Sequence, residues 1–316
     1  MWGNRTGWGI SAVIAIVMIG LMMSVQRSSA HSGMTAKFAG DSVNLDIVAL
    51  SPAPETILPP MAEDCDAADK YREAIELYNQ SPSLYAGFNP KTLDRLEAVE
   101  KLVEGTHCKK MTLFSKDPGE IINFEKNKPA IEALRALGQA ASLKGLALLR
   151  SGKKDEARKY AEAAFSLGCN MYNERIVFEE FEAGLAVMSL GDGLMKQIDP
   201  DRAPQIDEFE TARIKYFKDK LYDLRGVTHT IDGNMSAQRA GDVFALAERS
   251  KERMWRVEAC LQLARTHRNV GDDGRASDQR YAQVLLVKIA KEDSDPIVKI
   301  AAARARDITD QEYNRQ

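Results

Sequence analysis

Two of the four cysteines are placed so that a disulfide could join the ends of two helices. Cys65 lies at the beginning of one predicted helix, and Cys108 lies at the end of the next. If these helices form an antiparallel hairpin, the two ends are neighbours, and an oxidising compartment would allow the thiols to pair. Closing a loop of roughly 44 residues would contribute about 4 kcal/mol. The alternative is two free, partly buried thiols. Cys169 and Cys260 lie among apolar residues and are predicted to be buried structural thiols.

Other residues that could bind a metal or a cofactor are scattered along the chain. His107 and Cys108 are adjacent potential ligands, but no other Cys or His stands near them at the spacing of a zinc site. The cluster Gly271–Gly274 lacks the alternating oxygen ligands and terminal Glu of a calcium loop, which favours a turn between helices. No phosphate-binding, dinucleotide-binding, serine-hydrolase or zinc-protease motif occurs. The sequence therefore predicts no metal, no cofactor and no catalytic residue.

Three glutamates, Glu179, Glu180 and Glu182, could supply paired carboxylates for glycoside cleavage. Further along, Gly193–Gln197 resembles a Gly-Leu-Met-Gln segment of lytic transglycosylases, with Lys196 interrupting it. The Glu-Ser pair that carries the acid in that family is absent upstream. The competing interpretation places the glutamates on the solvated face of a long helix. An enzyme acting on glycan is therefore kept as an alternative.

The elements that would position these residues are helices. Ala, Leu, Glu, Lys and Arg dominate the composition, and alternating β-branched stretches are scarce, so the fold class is predicted to be all-α. Apolar periodicity and helix breakers define the segments, and residues 109–128 are predicted to be irregular. The predicted helices are Ala62–Asn79, Thr92–His107, Ala130–Arg150, Asp155–Leu167, Glu174–Ile198, Ala203–Leu224, Ala237–Val270 (one helix or two), Ala276–Lys291 and Pro296–Ile308.

A pattern of small and large residues surrounds the predicted turn at Ser151–Lys153. Six residues stand at offsets of 0, 3, 7, 12, 16 and 19: Gly145, Leu148, Gly152, Ala157, Ala161 and Ala164. The segment 144–177 resembles the tetratricopeptide repeat, whose small residues let two antiparallel helices approach closely. Cys169 stands where that family usually has Pro.

This resemblance implies a degenerate α-solenoid of helical hairpins, in which Gly145 faces Ala157 across a tight helix pair. Other parts of the chain match in part, and Asp295-Pro296 resembles the start of a HEAT-type helix. The units do not share one 34-residue phase, since Gly145 and the corresponding Ala264 are 119 residues apart. The alternative is an unrelated helical bundle that packs closely through alanine.

The chain begins with an apolar segment, Gly7–Val25, that has 19 residues and no charge. As a helix it would be about 28 Å long, close to the roughly 30 Å of a hydrocarbon core. Trp2 and Trp8 are placed as interfacial aromatic residues would be. The segment therefore predicts a single membrane-spanning anchor with the body on the extracytoplasmic side. The alternative is a signal peptide that is cleaved after Ser28–Ala30, so that the body is exported.

Three regions follow from this. Residues 1–27 form the anchor or signal segment, and residues 28–60 form a tether in which four prolines forbid a regular helix. Residues 61–316 form the helical repeat-like domain.

The charge balance excludes one class of partner. The chain has 43 basic and 46 acidic residues, a net charge of −3, which argues against a nucleic-acid-binding surface. Aromatic residues between 160 and 222 mostly fit core spacing, and some could line a concave surface that binds a peptide. We therefore expect a membrane-tethered, extracytoplasmic scaffold that binds a protein or peptide. The alternatives are an all-α envelope enzyme acting on glycan and a purely structural envelope protein.

Overall fold

A computed structural model describes residues 63–85, 96–123, 128–216, 237–266 and 276–313. The predicted membrane segment 7–25 and the tether 28–60 lie outside these ranges. Among the described residues, no helix combines the length and the apolar character that crossing a membrane requires. The described part of the chain is predominantly helical with two short strands, which confirms the all-α prediction.

The described residues form two strands and a series of helices. Three single 3-10 turns, Pro82–Leu84, Pro118–Glu120 and Pro200–Arg202, each begin with proline, as do two of the helices. In chain order the elements are β1 (Glu63–Asp66), α1 (Ala68–Gln80), α2 (Glu97–Gly105), β2 (Cys108–Lys110), α3 (Leu113–Lys116), α4 (Pro129–Arg150), α5 (Lys154–Glu174), α6 (Phe178–Ile198), α7 (Ala203–Tyr216), α8 (Ala237–Arg249), α9 (Arg253–Thr266), α10 (Ala276–Glu292) and α11 (Pro296–Tyr313).

The two strands were not predicted, and they replace one helix end and part of an irregular stretch. β1 and β2 pair in parallel, with Glu63 opposite Cys108. The predicted helix starting at Ala62 instead starts at Ala68, because the Asp66 carboxylate accepts the backbone N–H of Ala68 and ends the strand there. Cys65 and Cys108 therefore lie on neighbouring strands and not on helix ends.

The boundary between α5 and α6 also differs from the prediction. α5 continues to Glu174, and α6 starts at Phe178, so only residues 175–177 separate two helices of 21 residues each. The prediction ended this helix at Leu167, just before Gly168, a residue type that usually weakens a helix. Gly168 instead lies inside α5, where its missing side chain serves a close contact with α6.

Helices adjacent in sequence pack in antiparallel pairs. Lys70 of α1 forms an ion pair with Glu104 of α2 at 2.9 Å, and Glu73, further along α1, pairs with Lys101, earlier in α2, at 3.1 Å. α5 and α6 are also antiparallel, since Phe165 contacts Gly191 while Tyr172 contacts Gly184.

Corresponding helices of successive antiparallel pairs run in the same direction. Between α2 and α5, Tyr160 donates a hydrogen bond to Glu100 at 2.8 Å, and Ser166 donates one to the carbonyl of Thr106 at 2.9 Å. Both contacts join residues that are 60 positions apart, so α2 and α5 are parallel and in constant register.

Two further pairs of helices also run parallel. In α4 and α6, Gly138 contacts Val187 and Gly145 contacts Leu194, again at one constant separation. In α8 and α10, the rings of Phe244 and Tyr281 lie 4.8 Å apart, and Glu248 pairs with Lys288 further toward both C-termini, so these helices run in the same direction.

The closest helix contact in the described residues is between α5 and α6. A methyl group added at Gly168 would lie 2.4 Å from the backbone nitrogen of Met188, and one added at Gly191 would lie 2.5 Å from the backbone nitrogen of Phe165. At Gly184 the nearest atom would be the backbone nitrogen of Tyr172 at 2.9 Å. Because these neighbours are backbone atoms, a side chain at any of the three positions would force the helices apart.

Replacing Gly191 by alanine should therefore lower the free energy of unfolding by about 1–3 kcal/mol through overpacking. Gly193, two residues further along the same helix, has no atom within 4 Å of an added methyl group. Gly193→Ala should raise stability by about 0.5–1 kcal/mol, because alanine is the better helix former. Urea unfolding followed by circular dichroism measures both. Equal shifts for the two variants would contradict the backbone contact at Gly191.

Candidate functional site

The two cysteines paired in the sequence analysis lie together in the structure. Cys65 and Cys108 form a disulfide with an S–S distance of 2.12 Å and a Cα–Cα distance of 4.8 Å. It joins β1 to β2 and closes the α1–α2 hairpin at its base. Cys169 and Cys260 are buried thiols, and burial raises the pKa of Cys260 to about 12, so this thiol is not a ready nucleophile.

An aspartate holds the same end of the molecule. The carboxylate of Asp66 accepts the backbone N–H groups of Ala68 and Thr112 at 3.0 Å each, together with a hydrogen bond from the Thr112 hydroxyl, and pairs with Lys116 at 3.3 Å. Burial alone would raise the pKa of Asp66, but the hydrogen bonds from Thr112 and Ala68 outweigh it and hold the pKa below its ordinary value. This network is structural, because every oxygen of the carboxylate is engaged.

The six residues of the repeat-like pattern lie along the α4–α5 pair. A methyl group at Gly145 would lie 3.2 Å from the carbonyl oxygen of Ala157, so these two residues face each other across the pair as the pattern predicts. The nearest atom to Gly145 is nevertheless Leu194 of α6, at 2.5 Å. Gly152 has φ +80° in the exposed turn, where glycine is favoured. Leu148 is half-buried, and the alanines Ala157, Ala161 and Ala164 are fully buried.

The sequence analysis missed a cluster of buried glutamates where α5 meets α6. Glu174 accepts the backbone N–H groups of Phe114 and Ser115, at 3.0 and 2.7 Å. Glu180 accepts the N–H of Ile176 at 2.7 Å. Glu180 is the third residue of α6, the usual place for a glutamate that caps its own helix, and this is the signal that could have located it.

α9 and the residue before it contribute two more glutamates to this joint. Glu258 accepts the N–H of Phe178, the first residue of α6, at 2.9 Å. Glu252 forms a two-point ion pair with Arg175, with nitrogen-to-oxygen distances of 2.8 and 3.3 Å. Arg175 itself has φ +22°, a backbone conformation that residues other than glycine rarely adopt. The joint is therefore held from both sides by carboxylates.

The glutamates considered for glycoside cleavage do not form an accessible pair. Glu180 is fully buried and bonded to backbone, so it cannot touch a glycan. Glu179 pairs with the buried Lys128 at 3.1 Å, and Glu182 is half-buried on the next turn of α6. This arrangement argues against two carboxylates flanking a sugar in an open cleft.

A lysine–tyrosine–glutamate group joins α2, α4 and α5. Lys144 and Tyr160 both donate to the same oxygen of Glu100, at 2.6 and 2.8 Å. Burial lowers the pKa of Lys144, but the bond to Glu100 outweighs it and the net pKa is raised; burial raises the pKa of Tyr160. A general base or nucleophile at neutral pH needs a lowered pKa in such groups, so this trio serves packing between helices.

A small pocket of about 10 Å³ lies between α5, α6 and the turn before α7. Arg158, Glu162, Asp199 and Arg202 line it, with Arg158 paired to Asp199 at 3.3 Å. Burial raises the pKa of Glu162, while Arg158 and Arg202 act in the opposite direction. The pocket is smaller than the 300–1,000 Å³ typical of small-molecule sites.

The exposed apolar side chains point to a different kind of site. In the described part of the chain, Tyr281 and Val284 are 50% and 61% exposed, and they lie three residues apart on one face of α10. Phe244 of α8 packs edge-on against Tyr281 and is only half-buried. We call these three residues the α8–α10 apolar patch. The aromatic residues highlighted in the sequence are mostly core: Phe165, Tyr172, Phe178 and Phe181 are buried.

Comparison with known protein families, curated proteins and solved structures finds no match to this chain. Across the described ranges, no three His, Cys, Asp or Glu side chains are grouped as ligands of a metal ion would be.

Removing the disulfide tests the importance of the closed hairpin. The double variant Cys65→Ala with Cys108→Ala should lose about 4 kcal/mol of unfolding free energy, because the unfolded chain regains the entropy of an open loop. Urea titrations with and without dithiothreitol measure this. Reduction should bring the natural chain to the midpoint of the double variant and leave the variant unchanged. If the unfolding midpoint of the natural chain did not change with the reductant, the contribution of the disulfide to stability would be refuted.

Proposed function

We propose that this protein is a membrane-tethered extracytoplasmic scaffold that binds a protein or peptide through a tetratricopeptide-like helical surface. Residues 7–25 provide the anchor in this proposal, and the helical domain provides the binding surface. Cleavage of the N-terminal segment would give the same body in exported form.

The observation that carries the scaffold proposal is the parallel direction of corresponding helices in successive pairs. α2 with α5, α4 with α6 and α8 with α10 each run parallel, while partners within a pair run antiparallel. A stack of helical hairpins has this relation, because each hairpin repeats the orientation of the one before. The facing of Gly145 and Ala157 adds support from the sequence pattern.

The α8–α10 apolar patch is our candidate for the binding surface. Exposed aromatic and aliphatic groups are the anchors that protein partners bury. Leu190 is a further exposed apolar side chain, at 44%. It lies on α6, one of the helices that run parallel to the corresponding helix of the preceding pair. A partner segment with a small apolar face fits this chemistry better than a charged ligand, because Lys288 and Glu248, which join the same two helices, neutralise each other at 2.6 Å.

The disulfide supports the proposed compartment. Stable disulfides form in exported proteins and are rare in the cytosol. A body that carries the Cys65–Cys108 bond is suited to the far side of a membrane.

Substitution of the patch tests the binding surface. The variant Tyr281→Ser with Val284→Ser should lose a partner that co-purifies after crosslinking in intact cells, because the anchors of the contact are removed. Ile300→Ser is the matched control, since Ile300 is 38% exposed on α11, the other helix of the same hairpin. Mass spectrometry of the crosslinked products measures both. Equal recovery of one partner from all variants would exclude the patch.

Deleting the N-terminal segment tests the compartment. A chain that lacks residues 1–27 should stay in the cytoplasm, with Cys65 and Cys108 reduced, whereas the full-length chain should carry the disulfide. Acid-quenched cells, alkylation and mass spectrometry count the free thiols in each. A disulfide that forms equally in both chains would contradict export through this segment.

A further inference from the structure

The joint between α5 and α6 contains two carboxyl groups that protein contacts only half satisfy. One oxygen of Glu174 accepts two backbone N–H groups, and one oxygen of Glu180 accepts the N–H of Ile176. The second oxygen of each, Oε2 of Glu174 and Oε1 of Glu180, is buried and has no hydrogen-bond partner. Two ionised carboxylates with orphaned oxygens in a buried site would carry a large desolvation cost.

The charged groups around the pair do not neutralise it. On the joint itself, Arg175, whose charge acts to lower the pKa of Glu180, is engaged by Glu252, the residue before α9. From the side of β1 and α3, Asp66 adds negative charge toward Glu174 and is itself paired with Lys116.

α9 faces the joint with groups that already have partners. Glu258 holds the N–H of Phe178, and Arg256 forms an ion pair with Asp293. In the described residues, neither Glu174 nor Glu180 forms an ion pair of its own.

We propose that Glu174 and Glu180 are protonated in the folded chain and act as a pH-sensitive latch at the α5–α6 joint. While they hold their protons, they tie α3, α5 and α6 together through the backbone bonds that they accept. When the protons leave to solvent, two like charges with unpartnered oxygens are buried in the same joint, and the joint loosens.

The direction of the effect follows from the same groups. Burial raises the pKa of Glu174 to about 7, and burial together with the neighbouring Glu174 raises the pKa of Glu180. The folded chain therefore holds protons on these carboxyl groups that the unfolded chain, with ordinary glutamates, releases above about pH 4.5. The pair stabilises the fold fully below that pH, and the stabilisation is lost as the pH rises toward 7 and beyond.

Trp255 provides a reporter next to the joint. It is fully buried, and its ring lies 5.8 Å from that of Phe178, the first residue of α6. The chain has three tryptophans, so the full-length variant with Trp2→Phe and Trp8→Phe leaves Trp255 alone. Its emission should shift to longer wavelength between pH 5 and pH 8.

Matched variants assign the titration to the pair. Glu180→Gln replaces the carboxyl by an uncharged amide of the same shape, so the emission should stay at its acid value throughout. Glu156→Gln, on the exposed face of α5, and His107→Gln, which removes a residue type that titrates in this range, should both keep the shift. An emission that stays constant with pH when Glu174 and Glu180 are both present would overturn the proposal. So would an emission shift that survives in Glu180→Gln.

Two further measurements do not depend on the emission. The unfolding constant should rise with pH by up to about tenfold per unit for one proton, and Glu180→Gln should flatten this slope. If that variant does not fold, infrared spectroscopy of the unsubstituted chain decides. The band of a protonated buried carboxyl should be present at pH 5 and disappear by pH 8, and its absence at pH 5 would refute the latch.

Discussion

The contact on which the rest of the structure depends is the backbone-to-backbone approach of α5 and α6. Gly168, Gly184 and Gly191 supply it, one after another along the crossing, and in each case the neighbour is a main-chain atom. Dispersion contacts at such short range are numerous and cannot be replaced by side chains of another shape. α4 and α2 pack on this pair at a constant register. The distance between α5 and α6, which the glycines set, therefore determines where the neighbouring helices lie.

This approach has a consequence for the connection between the two helices. Two helices of 21 residues that lie so close can be joined by only a short turn, and residues 175–177 form it. A turn enclosed by α3 and α9 has backbone N–H groups without access to water, and these must be bonded. Glu180 accepts an N–H of the turn itself, while Glu174 and Glu258 accept N–H groups of α3 and of the first residue of α6 beside it, which explains why so many carboxyl groups are buried in one place.

Local patterns in the sequence were sufficient to predict most helices. They did not reveal the contacts that hold the helices together. Proline at position 129 and at position 296 marks the starts of α4 and α11, and the predicted starts lie within one residue of the observed ones. The short strands could not be predicted from periodicity, because each is stabilised by a partner more than 40 residues away.

The glutamates of the joint escaped prediction for the same reason. A charged residue at helical spacing ordinarily marks a solvated face, and the group that buries Glu258 is a backbone N–H 80 residues away. The disulfide was accessible to sequence reasoning because it needs only two residues and a hairpin, although the cysteines proved to lie on strands. The exposure of Tyr281 depends on which helices flank α10, and composition does not specify that.

The Cys65–Cys108 bond also changes what a break in the backbone would mean. The bond encloses the whole α1–α2 hairpin, with a separation of 43 residues between the two cysteines. A protease that cut once inside this loop would leave both fragments covalently attached, and the hairpin would keep its ion pairs and its place against α5. In a compartment where proteases act on exposed connections, the first hairpin can be nicked without being shed.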